Sequence, residues 1–200
     1  MYQLKITLIG SKPPIWRKVL VQPEITFGQL HEVWQIVMGW SDSHLHQFVS
    51  GPEIFGVPDD EEDGLFGFQV KDENKHRLSE ILRREKDVLI YEYDFGDGWA
   101  HKVLLEKILP FDGSVKLPKC IKGKRACPPE DCGGIGGYQD LIEVLDDASH
   151  PEHQAMIEWL GGNIDPEFFD LGEVNDALAE HFQRTAETAC TAEYNKALPV

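Results

Sequence analysis

Apolar and polar residues alternate from the start of the chain, and Leu4, Ile6 and Leu8 share one side of residues 2–9, a half-buried strand of period two. Residues 10–14, Gly-Ser-Lys-Pro-Pro, form a turn, and residues 16–21 are a second β-rich run that pairs back as a hairpin. The period then changes: Leu30, Val33, Trp34, Val37 and Met38 recur at helical spacing and predict a face packed on the sheet. Thr26 is the N-cap with Gln29 three residues on, a capping box, and Ile25 and Leu30 can staple the entry. Gly39 ends the helix.

Leu45, Phe48 and Val49 predict a third strand, residues 79–84 a short helix, and residues 88–95 and 99–108 a hairpin about Gly96-Asp97-Gly98. The five acids Asp59 to Asp63 between Pro58 and Gly64 read as a solvated loop, because they lack the alternating ligands of a calcium-binding loop. Past residue 137 the pattern is helical. Residues 138–145 form one helix, and Ser149 with Glu152 reads as a capping box for another ending near Leu160 and Gly161. Residues 165–167 make a turn, and Asp170 with Glu173 caps a last helix that runs to the mid-180s. Strands first and helices last define an α+β fold: a mixed, mainly antiparallel sheet with a packed helix, followed by a C-terminal helical part. Residues 1–125 are the β-rich core with one long helix, and residues 126–200 a rigid Cys/Pro/Gly loop and acidic helices packed on that core as one domain.

Five Trp, ten Phe and five Tyr spread along the chain exclude a disordered polypeptide. No apolar run approaches the ~20 residues that span a bilayer, and the N-terminus lacks a signal-peptide layout. A cytoplasmic protein without membrane association is expected. The net charge of −16 is unevenly placed: residues 1–125 carry 17 Lys/Arg against 19 Asp/Glu, and residues 126–200 carry two against 16. Such a field disfavours general nucleic-acid binding and suits a basic protein partner. Lys116, Lys119, Lys122, Lys124 and Arg125 form a local basic run, expected as a solvated loop beside the acidic part.

Three groups of residues carry candidate chemistry. Glu92, Asp94, Asp97 and His101, on the hairpin, could hold a divalent metal or perform acid–base work, because the turn is expected to return His101 to the carboxylates. His44 and His46, two residues apart, would lie on one face of a strand and could share a ligand. Cys120, Cys127 and Cys132 could bind zinc with these histidines, although no pair has the usual two-to-four-residue spacing; cations beside them would favour the thiolate. No further cofactor is expected. The stretch Cys127-Pro128-Pro129-Glu130-Asp131-Cys132-Gly133-Gly134 is stiffened by its prolines and expected to dock on the Asp94–His101 hairpin, with Glu130 or Asp131 accepting hydrogen bonds from Trp99, His101 or the turn backbone, and both acids join the hairpin residues as catalytic candidates. The glycines at 133–137 could cradle an anion at a helix start.

Pro14-Ile15-Trp16-Arg17-Lys18, Leu30-His31 with Gly39-Trp40, His44-Leu45-His46-Gln47-Phe48, Tyr93-Asp94-Phe95-Gly96-Asp97-Gly98-Trp99-Ala100-His101, the Cys127–Gly134 stretch, Trp159-Leu160-Gly161 and Asp165-Pro166-Glu167-Phe168-Phe169-Asp170 together resemble the plasmid pRiA4b ORF-3-like family. The resemblance covers roughly residues 2–180. It implies an α+β domain found in bacteria and archaea and an association with mobile elements, and it supplies no reaction. Two functions are therefore expected to compete. One is a binding or accessory module with an acidic C-terminal surface. The other is a metal-dependent hydrolase or nuclease built on Asp94, His101 and Glu130.

Overall fold

A computed structural model describes residues 1–58 and 69–197. The acidic run 59–63 lies outside the described residues. The strands are β1 (Tyr2–Leu8), β2 (Trp16–Val21), β3 (His46–Ser50), β4 (Glu53–Gly56), β5 (Val70–Asp72), β6 (Val88–Tyr93), β7 (Trp99–Ile108) and β8 (Lys119–Lys124). The helices are α1 (Phe27–Met38), α2 (Leu78–Ile81), α3 (Gly134–Asp146), α4 (His153–Leu160) and α5 (Leu171–Ala197). The strands form one sheet in the order β5-β4-β3-β6-β7-β1-β2-β8, antiparallel throughout except for the parallel pair β4–β5. The expected α+β class, a mixed and mainly antiparallel sheet with packed helices, is what the chain adopts.

Strand alternation divides the sheet into a dry and a wet face. Leu4, Ile6, Val19, Val21, Leu89, Tyr91, Tyr93, Trp99, Val103 and Leu105 point inward and are buried. The opposite face is polar, with Lys18 of β2 reaching over β1 to Glu106 of β7 and Gln47 on Glu92 across the neighbouring strands β3 and β6. One covered and one solvated face is the usual economy of an antiparallel sheet. Helix α1 closes the dry face with Leu30, Val33, Trp34 and Val37, all essentially inaccessible, and Phe27 stacks on Phe55 at 4.3 Å. Its start and end are as expected. Thr26 accepts from the Gln29 amide, Gln29 returns a bond to the Thr26 amide, and Gly39 closes the helix at φ 82°.

The structure departs from the sequence expectations in several local respects. The basic run is no solvated loop from end to end, because Lys119–Lys124 is edge strand β8, antiparallel to β2. Only Cys120 points into the core, and the outward lysines are the usual protection of a sheet edge. Helix α5 covers that edge, with Asn175 exchanging hydrogen bonds of 2.9 Å with both backbone groups of Cys120. Strands β4 and β5 were too short to carry a periodic signal. Leu45 stays outside β3 and is 70% exposed. Helix α2 is a single turn, because Asp87 takes the amides of Arg83 and Arg84 away from further helix. Ser149 bonds Asp147 instead of capping α4, so the second capping box does not form. Asp170 does cap α5, which continues beyond the mid-180s to Ala197.

Candidate functional site

The Cys127–Gly134 stretch docks where the α1–β3 connection and the β6–β7 hairpin meet, as its composition predicts. Trp40 anchors it: its indole N–H donates to the Pro128 carbonyl at 3.0 Å, and its ring stacks on Tyr93 at 5.0 Å. The donors to Glu130 differ from expectation. Tyr93 donates its hydroxyl to one carboxylate oxygen at 2.5 Å, and Ser41 donates its amide and hydroxyl to the other at 3.0 and 2.5 Å. Burial acts to raise the Glu130 pKa, but these hydrogen bonds outweigh it and hold the carboxyl below its ordinary value. The Tyr93 phenol is pushed up, first by burial and then by its bond to Glu130.

The glycines at the start of α3 do receive an anion, and it is the chain's own Asp97. The Gly133 amide donates to that carboxylate at 3.1 Å. A Cβ at Gly134 would stand 2.3 Å from the Asp97 carbonyl oxygen, and one at Gly137 would stand 1.8 Å from that of Cys132. Only hydrogen fits at either position, so hairpin and loop form one unit.

His101 does not join the carboxylates. In the β6–β7 register it stands opposite Tyr91, while Glu92 stands opposite Ala100. His101 is therefore on the dry face, fully buried against Trp40 and Tyr91, and Glu92 is on the wet face bound to Gln47. Desolvation drops the His101 pKa to about 3, so the ring is neutral at any ordinary pH. The Asp94/His101/Glu130 group proposed from sequence is thereby broken up, with His101 beneath the surface and Glu130 saturated by its donors.

The thiols likewise form no joint site. Among the described residues, no cysteine belongs to a group of three metal-ligating side chains. Burial raises all three thiol pKa values, Cys132 to about 12, which overrides the neighbouring cations and keeps the sulfurs protonated. The cation whose charge reaches Cys120 and Cys127 is Arg17, itself buried. Its guanidinium donates to the carbonyls of Val37, Trp16 and Lys124 and lies 4.2 Å from the Phe169 ring centroid.

His44 and His46 part company, and each joins a different group. His46 donates Nε2–H to Glu73 at 2.7 Å, and its ring stacks on His31 with centroids 3.4 Å apart and planes within 3°. His31 donates to Asp42 at 2.8 Å, Tyr91 sits 2.8 Å from its other nitrogen, and Gln35 donates to Tyr91 at 3.1 Å while accepting the Asp42 amide. Burial, then the charge of His46, lowers the His31 pKa, consistent with a neutral ring accepting from Tyr91. None of these side chains has a buried polar atom without a hydrogen-bond partner. His31, Asp42 and His46 bring ligand atoms within 4.8 Å of one another, but the stacked rings hold their in-plane lone pairs parallel and their nitrogens are already engaged by Asp42, Tyr91 and Glu73.

His44 faces Asp94 and Asp131 instead. Its Nε2 lies 3.7 Å from Asp94 Oδ2 and 3.4 Å from Asp131 Oδ1, is shielded from solvent, and has no hydrogen-bond partner. Asp94 turns into place through a positive φ of 54° immediately after β6, and its Oδ1 is taken by the amides of Gly96 and Asp97. Three sequence candidates thus converge, drawn from the α1–β3 connection, the hairpin and the docked loop. Of the residues in these groups, His31 entered the sequence reading only as part of the family resemblance, and Gln35 and Glu73 were missed. A histidine and a glutamine four residues apart inside the apolar stripe of α1 were the available signal for His31 and Gln35.

Among the described residues the chain is an α+β protein: an eight-stranded, mainly antiparallel sheet with one face closed by a capped helix and a Cys/Pro/Gly loop docked on it. The chain belongs to the family described as plasmid pRiA4b ORF-3-like protein, which matches residues 1–173. It is 36% identical over 189 residues to uncharacterized protein y4hQ of Sinorhizobium fredii, covering 92% of this chain and 95% of that one. It is also similar to the crystal structure of MM3350, a protein of unknown function from Methanosarcina mazei Go1, with 40% identity and a TM-score of 0.76 over 86% of this chain and 96% of that one.

Proposed function

We propose that the protein is a non-catalytic binding module whose partner is a basic protein segment with an apolar anchor. The observation that carries this reading is a groove of about 370 Å³ between α3 and α4. Leu141, Val144, Met156 and Trp159 form its apolar floor, and Asp131, Asp140 and Glu152 stand on its rim. Trp159 is 48% exposed, a large apolar surface left uncovered. The sequence has no Lys or Arg between Arg125 and Arg184, so nothing of the opposite sign on these helices competes for the rim. An apolar anchor flanked by Lys or Arg complements both features, with the charges steering encounter and the floor supplying contact energy.

The test is fluorescence anisotropy with a labelled amphipathic peptide bearing leucines on one face and lysines on the other. Binding is expected to weaken with added salt, to weaken on Asp140→Asn with Glu152→Gln, and to be lost on Trp159→Ala. Equal binding of the peptide with glutamates in place of lysines, or indifference to all three substitutions, would overturn the proposal.

No helix among the described residues is long and apolar enough to cross a membrane. The enzymatic alternative lacks its expected trio, because His101 is buried away from Asp94 and Glu130.

A further inference from the structure

The geometry points to a divalent transition-metal site formed by His44, Asp94 and Asp131. The site shares Asp131 with the rim of the groove between α3 and α4, but it rests on different observations from the binding proposed there. The three ligand atoms lie within 4.8 Å of one another. The separations within the group decide its meaning. At 3.4 and 3.7 Å, the His44 nitrogen is too far from either carboxylate for a good hydrogen bond. Ligand atoms held at about 2.0–2.2 Å from a tetrahedral cation stand ~3.3–3.6 Å apart, close to the 3.4 and 3.7 Å that separate the His44 nitrogen from the two carboxylates. Nε2 is one of six buried side-chain atoms without a hydrogen-bond partner among the described residues, and its place within 4 Å of two carboxylates is what a shared cation explains.

The ligand set fits the same answer. One imidazole and two carboxylates suit Zn²⁺ or Mn²⁺ better than a thiol-seeking ion. Three protein ligands leave a position for water or for a donor from outside the chain. Asp94 is preset for the role: the Gly96 and Asp97 amides hold Oδ1 and leave Oδ2 facing His44. Asp131, whose side chain is 73% exposed, gives access from solvent.

The test is isothermal titration of the full-length protein with Mn²⁺ and with Zn²⁺, in wild type and in His44→Ala, Asp131→Asn and Asp42→Asn. Mn²⁺ is included because it disregards the protonated thiols. One cation per chain is expected, with affinity falling roughly tenfold or more on His44→Ala and on Asp131→Asn. Asp42→Asn, in the hydrogen-bonded histidine group, should leave affinity unchanged. Asp131 is an exposed position, so that variant separates loss of a ligand from loss of the fold. Absence of binding by both ions up to millimolar concentration would overturn the site. So would binding that survives both ligand substitutions, or binding lost on Asp42→Asn.

Discussion

His44 and His46 are two residues apart, yet their surroundings follow opposite rules. His46 meets Glu73 at 2.7 Å with both side chains more than nine-tenths buried, and its ring lies flat on that of His31. His44 meets no hydrogen-bond partner and stands back from two carboxylates. The first group satisfies itself and fastens α1, β3 and the segment around Glu73 to one another. The second holds its polar atoms apart, as a site waiting for a ligand does. Residue type therefore tells little here. Both groups are histidines with carboxylates, and only the separations distinguish the hydrogen-bonded clasp from the proposed metal site.

The largest effect that could break this comparison is on stability. His46→Ala should cost about 3–5 kcal/mol, because it leaves the Glu73 carboxylate buried without its donor. His44→Ala should cost under about 1 kcal/mol, since it removes a nitrogen that already lacks a partner. Chemical denaturation of both variants checks the difference. Equal losses would mean that the two groups do the same job.

A third histidine sharpens the comparison through pH. The His101 pKa is about 3 in the fold, against an ordinary value near 6.5, so between those limits only the unfolded chain takes up that proton. Its contribution is complete above about pH 6.5 and drains away as the pH falls toward 3. His31, also lowered, acts in the same direction. The expected slope from His101 alone is at most ~1.4 kcal/mol per pH unit across that window, and His101→Leu should remove it. Denaturation midpoints of wild type and variant that fall in parallel between about pH 6 and pH 4 would contradict this burial-driven shift.

The legible parts of the fold were those written in local chemistry. Thr26 and Gln29 announce the start of α1 and Gly39 its end, because capping needs only neighbouring residues. The docking of the Cys127–Gly134 loop was legible for a similar reason, since two prolines and two carboxylates must be ordered against donors. Strand β8 was not legible: its lysines read as solvent-facing, and its one inward residue, Cys120, needs α5 from 55 residues away to complete its cover. His101 was misplaced because its face depends on the hairpin register. Once Tyr93 pairs with Trp99, His101 must fall opposite Tyr91 on the apolar side. The parting of His44 from His46 was illegible for a different reason. Leu45 lies outside the strand, so period-two logic does not apply between them.

The most direct measurement of the difference between the two histidine groups is the imidazole ¹⁵N spectrum of the protein before and after one equivalent of Zn²⁺. The prediction is that the His44 Nε2 resonance moves toward the metal-bound range while those of His31 and His46 keep their positions. A spectrum in which the His31 and His46 nitrogens move and His44 stays still would assign the ligand to the wrong group and contradict the account.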